Sequence, residues 1–497
     1  MSLLVGLDIG TSGCRCLVVD ETGRRQAVAS RPWSYRWEGI GMCELDLEEA
    51  SRALASTIRE ALGQVDAQQI AAVGVASQRN GVVLIDEDGA PLYAGPNADG
   101  RGAAVGLDLE RQHGDRVYRA SGRLPVMLYL PARLGWFRAN RPEVLERASS
   151  ALSFSDWLVH RLTGNAATEP TQAAEMLVYD LASGAWSEEL CDVLDVPMAL
   201  LPDVRAPGEP AGTVTPTAAD EFGLPLDVPT VAGGCDTQSA TLALGVVDPG
   251  TAVIVAGSTM LAEQNVPQPL HDETRRVWTS PFPAGGFVVE SWLGEAGVAV
   301  DWMAALMGES PGSLDAAAAA SEPGAGGVFF LDPSPSPAGD FAMLRAGQLT
   351  FPAPLLALGR SREDVARALF EGIAFAVKAG LEWTEDVAGP AERVALSGGL
   401  SRSGTLGRIL ATTLGRTITV ATEANGTALG AAMAAAAGAG VHGSVTEASK
   451  AMADPGQQVE PEPAWAAETS GAYAGWRERL QRLEENTMRV SHMIGPP

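Results

Sequence analysis

Two stretches of this 497-residue chain share one plan and lie about half a chain apart. Leu3 to Ile9 reads as a buried strand, Asp8-Ile-Gly-Thr-Ser-Gly13 as a polar corner with two glycines, and Cys14 to Val19 as a second strand. The Glu21-Thr-Gly23 turn and a third strand, Gln26 to Arg31, complete a meander. After Val247-Asp-Pro-Gly250 the pattern returns: Thr251 to Val255 is strand-like, Gly257-Ser-Thr259 is the corner, and Met260 to Gln264 continues. An echo at that distance predicts duplicated domains and not a short-period solenoid. Two large domains also suit the length. The seam is expected near Val247–Gly250, which gives domains 1–247 and 248–497.

Between and after the meanders the pattern alternates strand and helix. Asp46 to Leu62 has helical spacing with an acidic first turn. Ile70 to Ala76 is a near-continuous apolar run suited to a buried parallel strand. Helical patterns dominate 101–194, with prolines near the helix starts, and Pro197 to Pro229 is a connector. Asp332-Pro-Ser-Pro-Ser-Pro-Ala-Gly339 reads as a loop. Ser361-Arg-Glu-Asp364 is a capping box ahead of Val365, Leu369, Ile373, Val377 and Leu381, each four residues from the last. Val394 to Leu396 and Thr417 to Val420 are short strands, and the helix after Asn425-Gly-Thr427 is made of small residues that allow close packing. The expected class is α/β, with mixed sheets flanked by helices.

Composition closes several functional classes. A net charge of −26 argues against a nucleic-acid or anionic-membrane partner, both of which need a basic face. It leaves phosphate ligands open, because backbone donors and a metal ion can hold them. Lysine occurs only at Lys378 and Lys450, outside every glycine-rich loop, so no Walker-type P-loop exists. The five cysteines form no zinc set and are expected as free thiols. With Asp8 interrupting any leader-like apolar run, a cytoplasmic location is expected. A homodimer is left open.

Three glycine–hydroxyl corners follow strands: Asp8 to Gly13, Gly257 to Thr259, and Gly398 to Ser401. Glycine lets backbone N–H groups approach a ligand, and serine and threonine add donors. Two such corners on facing domains could grip a polyphosphate from both sides. Each corner alone is equally compatible with an ordinary hairpin turn. A magnesium ion bridging phosphates needs one or two carboxylates, and Asp8 and Asp236 are the candidates. Asp8 alone also reads as a plain turn residue. Asp236 stands between the apolar run ending in Gly233-Gly-Cys235 and a helix-like run, where it can serve as a base facing a cleft or cap the helix. Ser77-Gln-Arg-Asn80 and Asn97-Ala-Asp-Gly-Arg101 follow apolar runs and carry amide, acid and guanidinium groups suited to a polyhydroxylated ligand, or to solvated loop tips.

These pieces resemble FGGY-type carbohydrate kinases of the actin/hexokinase-like (ribonuclease H-like) superfamily. Gly6-Leu-Asp-Ile-Gly-Thr11 resembles the first phosphate motif, Gly234-Cys-Asp236 the catalytic-base motif, and Gly250 to Thr259 the second phosphate motif. Ser397-Gly-Gly-Leu-Ser-Arg402 resembles the adenosine motif, Asn425 to Ala431 the helix behind it, and Ala368-Leu-Phe-Glu-Gly-Ile373 the C-terminal signature. The resemblance implies a two-domain kinase with a central cleft, using ATP and Mg²⁺ on a small sugar or sugar-like polyol. It implies Asp236 as base and Asp8, with Asp236, at the metal. Gly10, Thr11, Ser12, Gly257, Ser258 and Thr259 would hold phosphates; Gly398, Gly399, Ser401 and Arg402 the adenosine; and Gln78, Arg79, Asn97 and Asp99 the acceptor. A ketopentose such as xylulose is the leading substrate.

Departures qualify that substrate. Xylulokinases carry Gln-Met-His-Gly where this chain has Gln78-Arg-Asn-Gly81, and Trp-Asn-Asp where it has Asn97-Ala-Asp99; Arg133 stands where the family's signature has lysine. Val117-Tyr-Arg-Ala-Ser-Gly122, Ser155-Asp-Trp-Leu158 and Pro96 to Arg101 are more similar to the autoinducer-2 kinase branch, so a linear polyol-ketone is the alternative. A non-sugar ATPase on the same fold and a non-catalytic sugar-binding regulator are the remaining readings.

Overall fold

Every residue of the first strand, β1 (Leu3–Ile9), is buried, because both of its faces are covered. The computed structural model describes residues 2–494 except 40, 125–127, 332–346, 353–358 and 424, without the side chains from 484 onward. The proline-rich loop expected at Asp332 to Gly339 lies outside the described residues.

β1 pairs antiparallel with β2 (Gly13–Asp20), which pairs with β3 (Arg25–Pro32). Helix α1 (Leu47–Leu62), capped by Asp46 as its acidic start predicts, crosses back to β4 (Ile70–Ser77), which lies parallel to β1. After helix α2 (Phe154–Thr163) come β5 (Pro210–Thr213) and β6 (Pro229–Cys235), and β6 runs parallel to β4. The order across this sheet is β5-β6-β4-β1-β2-β3. Helix α3 (Asp236–Leu242) leaves directly from the end of β6.

The second half repeats the plan. β7 (Thr251–Ala256) pairs antiparallel with β8 (Met260–Val266), the edge hairpin is β9 (Trp278–Pro281) and β10 (Phe287–Trp292), and β8 pairs with β10. Helix α4 (Ala296–Met307) follows. Helix α5 (Arg362–Ala388) starts at the Ser361–Asp364 capping box, with Leu369, Ile373, Val377 and Leu381 buried as their spacing predicts. It leads to β11 (Arg393–Ser397), parallel to β7, and then to β12 (Ile418–Val420), parallel to β11. After helix α6 (Gly426–Gly438), the edge strand β13 (Gln457–Val459) completes the order β9-β10-β8-β7-β11-β12-β13. The expected duplication and the mixed α/β sheets are both present.

Alternation along β1 sorts its side chains. Leu3, Val5, Leu7 and Ile9 join α1 and α2 in one core. Leu4 belongs to the core on the opposite face, with Ala428, Leu429 and Ala432 of α6. Gly6 shares that second face, and so does Asp8. A Cβ on Gly6 would sit 1.8 Å from the Ala428 carbonyl oxygen, and one on Gly74 would sit 1.9 Å from that of Ala431. These bare strand positions let a helix from the second half of the chain lie against the first sheet. Gly430 in turn admits the α3 backbone, with its missing Cβ 2.0 Å from Ser239 O. The small-residue helix therefore joins the two halves, and its neighbour is the first sheet together with α3.

Candidate active site

β1, β4 and β6 end level with one another, since Ile9 and Cys235 both pair with Ser77. Their next residues, Gly10, Gln78 and Asp236, emerge at one sheet edge. β6 carries a bulge between Ala232 and Gly234 relative to β4, and Gly234 has φ +92°. A side chain there would be strained and would collide with Thr171 and Glu169, 2.8 and 2.9 Å away. The bulge is braced from outside: Thr171 Oγ1 accepts from the Cys235 N–H (2.9 Å), and Gln172 Nε2 donates to Ser77 Oγ (2.9 Å) and Gly234 O (3.4 Å). The turn opening the short helix Pro170–Ala174 thus ties the ends of β4 and β6 together.

Asp236 is the first residue of α3, and Cys235 holds the cap position without a side-chain bond. One Asp236 oxygen, Oδ1, accepts from the Thr237 N–H (2.8 Å) and hydroxyl (3.3 Å). The side chain is half-buried, and its position in the first helical turn suits a negative charge. Burial raises its pKa to about 6 against the lowering effect of the Arg79 charge. Its backbone carbonyl accepts from Thr427 Oγ1 (3.3 Å) at the start of α6.

Asp8 is 8% exposed and pairs with Arg15 (3.4 Å). Burial raises its pKa to about 7; Arg15 opposes this, and the charge of Asp236 adds to it. Its Oδ1 is buried with no hydrogen-bond partner. Two mutually repelling carboxylates, one with an orphaned oxygen, fit a magnesium ion, which takes few protein ligands. No group of three or more metal-ligating side chains exists among the described residues, so a larger protein cage is not on offer.

The corners differ in detail. Gly10 N–H closes on Gly13 O (2.9 Å), and Gly257 N–H closes on Thr259 O (2.9 Å). Ser12, Ser258 and Thr259 are exposed and Thr11 is half-buried, so their hydroxyls are accessible. At the third corner Gly398, with φ +91°, is needed for packing, because a Cβ would lie 2.4 Å from Ala256 O. Gly399 faces open space, and an added Cβ meets nothing within 4 Å. Only Gly399 therefore leaves room for a flat ligand. The hydroxyl of Ser401 is directed at Ala421 O (3.4 Å), while Arg402 is exposed and bonds Gly399 O (3.3 Å).

The acceptor residues require correction. Gln78 has no exposed surface; its amide donates to Gly10 O and the Tyr35 hydroxyl (both 3.4 Å) and accepts from the Asn97 N–H (3.2 Å). Asp99 is also wholly buried, accepting from the Cys43 N–H (3.2 Å), Arg101 Nε (2.6 Å) and the Tyr93 hydroxyl. Both were expected to face the acceptor, and both are struts instead. The reason is that each polar loop must satisfy its own buried groups before it can present any outward. Asn97 remains half-exposed, with Nδ2 on Thr11 Oγ1 (3.3 Å). Arg79 retains 8% exposure. Arg133, in the place of the family's lysine, supports this loop by donating to Gly95 O (2.8 Å) and Pro96 O (2.6 Å).

Comparison with known proteins places this geometry. Residues 3–243 match the N-terminal domain of the FGGY family of carbohydrate kinases, and residues 246–439 match the C-terminal domain. The chain belongs to the FGGY family. It is therefore an ATP-dependent carbohydrate kinase, a phosphotransferase with an alcohol group as acceptor. An autoinducer-2 kinase from Salmonella paratyphi B is 29% identical over 97% of this chain and 94% of that protein. The autoinducer-2 kinase of Escherichia coli K12 is 28% identical over 98% and 94%. Among solved structures, the ligand-bound xylulose kinase from Lactobacillus acidophilus superposes with a TM-score of 0.88 at 20% identity, covering 99% of this chain and 100% of that one. The xylulose kinase from Rhodospirillum rubrum gives 0.83 at 25% identity, covering 97% and 99%. The fold is thus the two-domain actin/hexokinase-like one of this FGGY kinase's relatives. No helix among the described residues is long and apolar enough to cross a membrane.

Proposed function

We infer that this kinase transfers the γ-phosphate of Mg·ATP to a hydroxyl of a short, open-chain polyhydroxylated ketone, with Asp236 as the base. The observation that carries the assignment is the pair formed by Asp236 and Asp8 at one sheet edge, each raised in pKa by burial. Asp236 at about 6 is ionised at neutral pH yet basic enough to accept a hydroxyl proton as the oxygen attacks. Its Oδ1 is held by Thr237, which leaves Oδ2 for the substrate hydroxyl. Asp8 would hold the magnesium ion, which neutralises charge on the phosphates when bound. Thr11, Ser12, Ser258 and Thr259 supply donors to the phosphates, and the bare backbone at Gly399 receives the adenine. Asn97, braced on Gln78 and Thr11, orients an acceptor hydroxyl.

An acceptor of the autoinducer-2 type is supported by full-length relatives at 28–29% identity that bear that name. A ketopentose such as xylulose is the second reading, supported by the 25% identity to the Rhodospirillum rubrum xylulose kinase. A coupled ADP-release assay with linear autoinducer-like hydroxyketones, pentuloses, hexuloses and polyols ranks the acceptors by kcat/KM. Failure of every neutral acceptor to stimulate ADP release above basal hydrolysis would sink the assignment.

A further inference from the structure

The chain that runs on from β3 passes the first corner, and two aromatic residues there are bonded to the corner's carbonyl groups. The Trp33 backbone N–H donates to Ser12 O (3.2 Å), and the Trp33 indole Nε1 donates to Thr11 O (3.3 Å). The Tyr35 hydroxyl donates to the same Thr11 carbonyl. Both rings are half-buried and pack against the core that β1 shares with α1 and α2, so this strap has a fixed seat.

Peptide geometry gives these bonds a consequence. In a planar trans unit the C=O and the N–H that follows it point in opposite directions. Drawing the Thr11 and Ser12 carbonyls toward the strap therefore turns the Ser12 and Gly13 N–H groups away from it. The strap continues β3, and on the other side of the corner lie β1, β4 and β6, in that order. The two N–H groups thus face the side on which Asp236 emerges. The Thr11 hydroxyl is prepared in the same sense: its oxygen accepts from Asn97 Nδ2 (3.3 Å), which leaves its proton free to donate. A flipped Thr11 peptide would offer a phosphate a carbonyl oxygen in place of a donor, and the strap opposes that flip.

Tyr35 also bonds on its other side. Its hydroxyl oxygen accepts from Gln78 Nε2 (3.4 Å), which reaches Gly10 O as well (3.4 Å), while Gln78 Oε1 accepts from the Asn97 N–H (3.2 Å). A closed ring of hydrogen bonds results, running from the Thr11 carbonyl through Tyr35, Gln78 and Asn97 back to the Thr11 hydroxyl. The loop that carries Asn97 and the corner are thereby held in one relative position.

We propose that Tyr35 and Trp33 are positioning residues for phosphoryl transfer: by bonding the Thr11 and Ser12 carbonyls, they aim the corner's N–H groups and the Thr11 hydroxyl at the phosphates of the bound nucleotide. This rests on the reading of the corner as a phosphate site. It goes beyond that reading, because both aromatic residues act through the corner and neither has to touch the nucleotide.

Isothermal calorimetry on the full chain tests it with two probes: the ATP analogue Mg·AMPPNP, which carries the β- and γ-phosphates, and AMP, which lacks both. Tyr35→Phe keeps the ring and removes the hydroxyl; it should weaken Mg·AMPPNP about fivefold and leave AMP within about twofold of wild type. Trp33→Phe removes the indole donor and should weaken Mg·AMPPNP about threefold, since Tyr35 still holds Thr11 O. The double variant leaves that carbonyl without either side-chain donor, and its loss should exceed the product of the single losses, at about 30-fold or more. Equal weakening of both probes, or a lowered thermal transition with binding unchanged, would mark a merely structural role and overturn the proposal. Thr11→Val separates the proposal from the reading beneath it, since loss of the hydroxyl should itself weaken Mg·AMPPNP. If Thr11→Val binds as wild type does, the phosphates lie elsewhere and both fail. If Thr11→Val weakens Mg·AMPPNP and Tyr35→Phe does not, the positioning role alone fails.

Discussion

In the N-terminal half β1 ends in Leu7-Asp8-Ile9 and β6 runs into Cys235-Asp236; in the C-terminal half the corresponding strand ends are Ile254-Val255-Ala256 and Thr419-Val420-Ala421. The two sheets share a meander followed by two parallel strands, yet the carboxylates stand on one side only. The other side offers Gly257, Ser258, Thr259, Gly398 and Gly399, which are backbone and hydroxyl donors without formal charge. On the function proposed above, a duplicated scaffold would be divided between acids for a proton and a cation and a neutral cradle for a nucleotide. The difference is sustained by burial: Asp8 sits on a strand face closed by α6, where ionisation is disfavoured unless a cation arrives.

The largest expected break comes from the acidic half. Asp236→Asn should lower kcat by about 10³-fold while leaving ADP affinity and the thermal transition in place. Retention of most acceptor-dependent turnover would remove Asp236 from its role. The same residue predicts the pH profile. Since the ionised form is required and burial raises its pKa to about 6, kcat/KM for the acceptor should fall tenfold per unit as pH drops below that value. A profile flat to pH 5 would contradict the assignment.

Asp8→Asn should act on the cation. A reduction in kcat/KM for Mg·ATP on the order of 10²-fold is expected, with a raised magnesium requirement. Stability should move the opposite way. The folded pKa of Asp8, about 7, lies above the unfolded value near 3.8, so the native state binds the proton more tightly. Wild-type stability therefore declines as pH rises from about 4 through about 7, and the variant escapes that decline. The Tm gain of Asp8→Asn should be a few degrees at pH 8 and should vanish near pH 4. A variant less stable than wild type at pH 8 would show that the Arg15 pair matters more than desolvation.

The position of these two residues near one sheet edge was legible in the sequence because their corners are local. A strand, two glycines and a hydroxyl define a turn from a handful of neighbouring residues, and the capping box ahead of α5 is local in the same sense. Gln78 and Asp99 misled for a related reason: their loops are polar, but the burial that absorbs their amide and carboxylate comes from Tyr35, Tyr93 and Arg101 around them. The Arg79–Glu290 fork joins residues 211 apart, and no spacing rule announces it. Thr171 and Gln172 were likewise silent, standing in a stretch readable only as a proline-started helix. Close packing by α6 was anticipated from its small residues. Its partner was not, since that depends on bare positions at Gly6 and Gly74 in another domain.

The neutral half can be tested with a pair of adjacent glycines. Gly399→Val should leave the fold intact, since a Cβ there meets nothing within 4 Å, and should raise KM for ATP about tenfold by occupying the nucleotide's space. Gly398→Ala should instead lower stability by about 2 kcal/mol or more, because φ +91° and a Cβ 2.4 Å from Ala256 O are both unfavourable. Equal loss of stability in both variants would mean that Gly399 is also structural and that the C-terminal half lacks the open floor assigned to it.

The smallest effect sharpens the boundary between the two halves' chemistry and the braces that hold it. Thr171 is buried, and its hydroxyl accepts from the Cys235 N–H one residue before Asp236. Thr171→Val keeps the shape and removes that acceptor, which should free the β6 bulge and lower kcat several-fold, up to about tenfold, with KM for both substrates nearly unchanged. Thr171→Ser restores an acceptor at the same position and should recover most of the rate. A merely structural role would lower stability in the valine variant without this kcat-only signature, and serine would not rescue turnover selectively. The comparison also has a control in the other half: Thr412→Val removes a hydroxyl that donates to Arg408 O (2.7 Å) in the helix that follows Ser403 and accepts from the Glu462 N–H (2.9 Å), and it should leave kcat within about twofold of wild type, as for a site remote from the reacting groups.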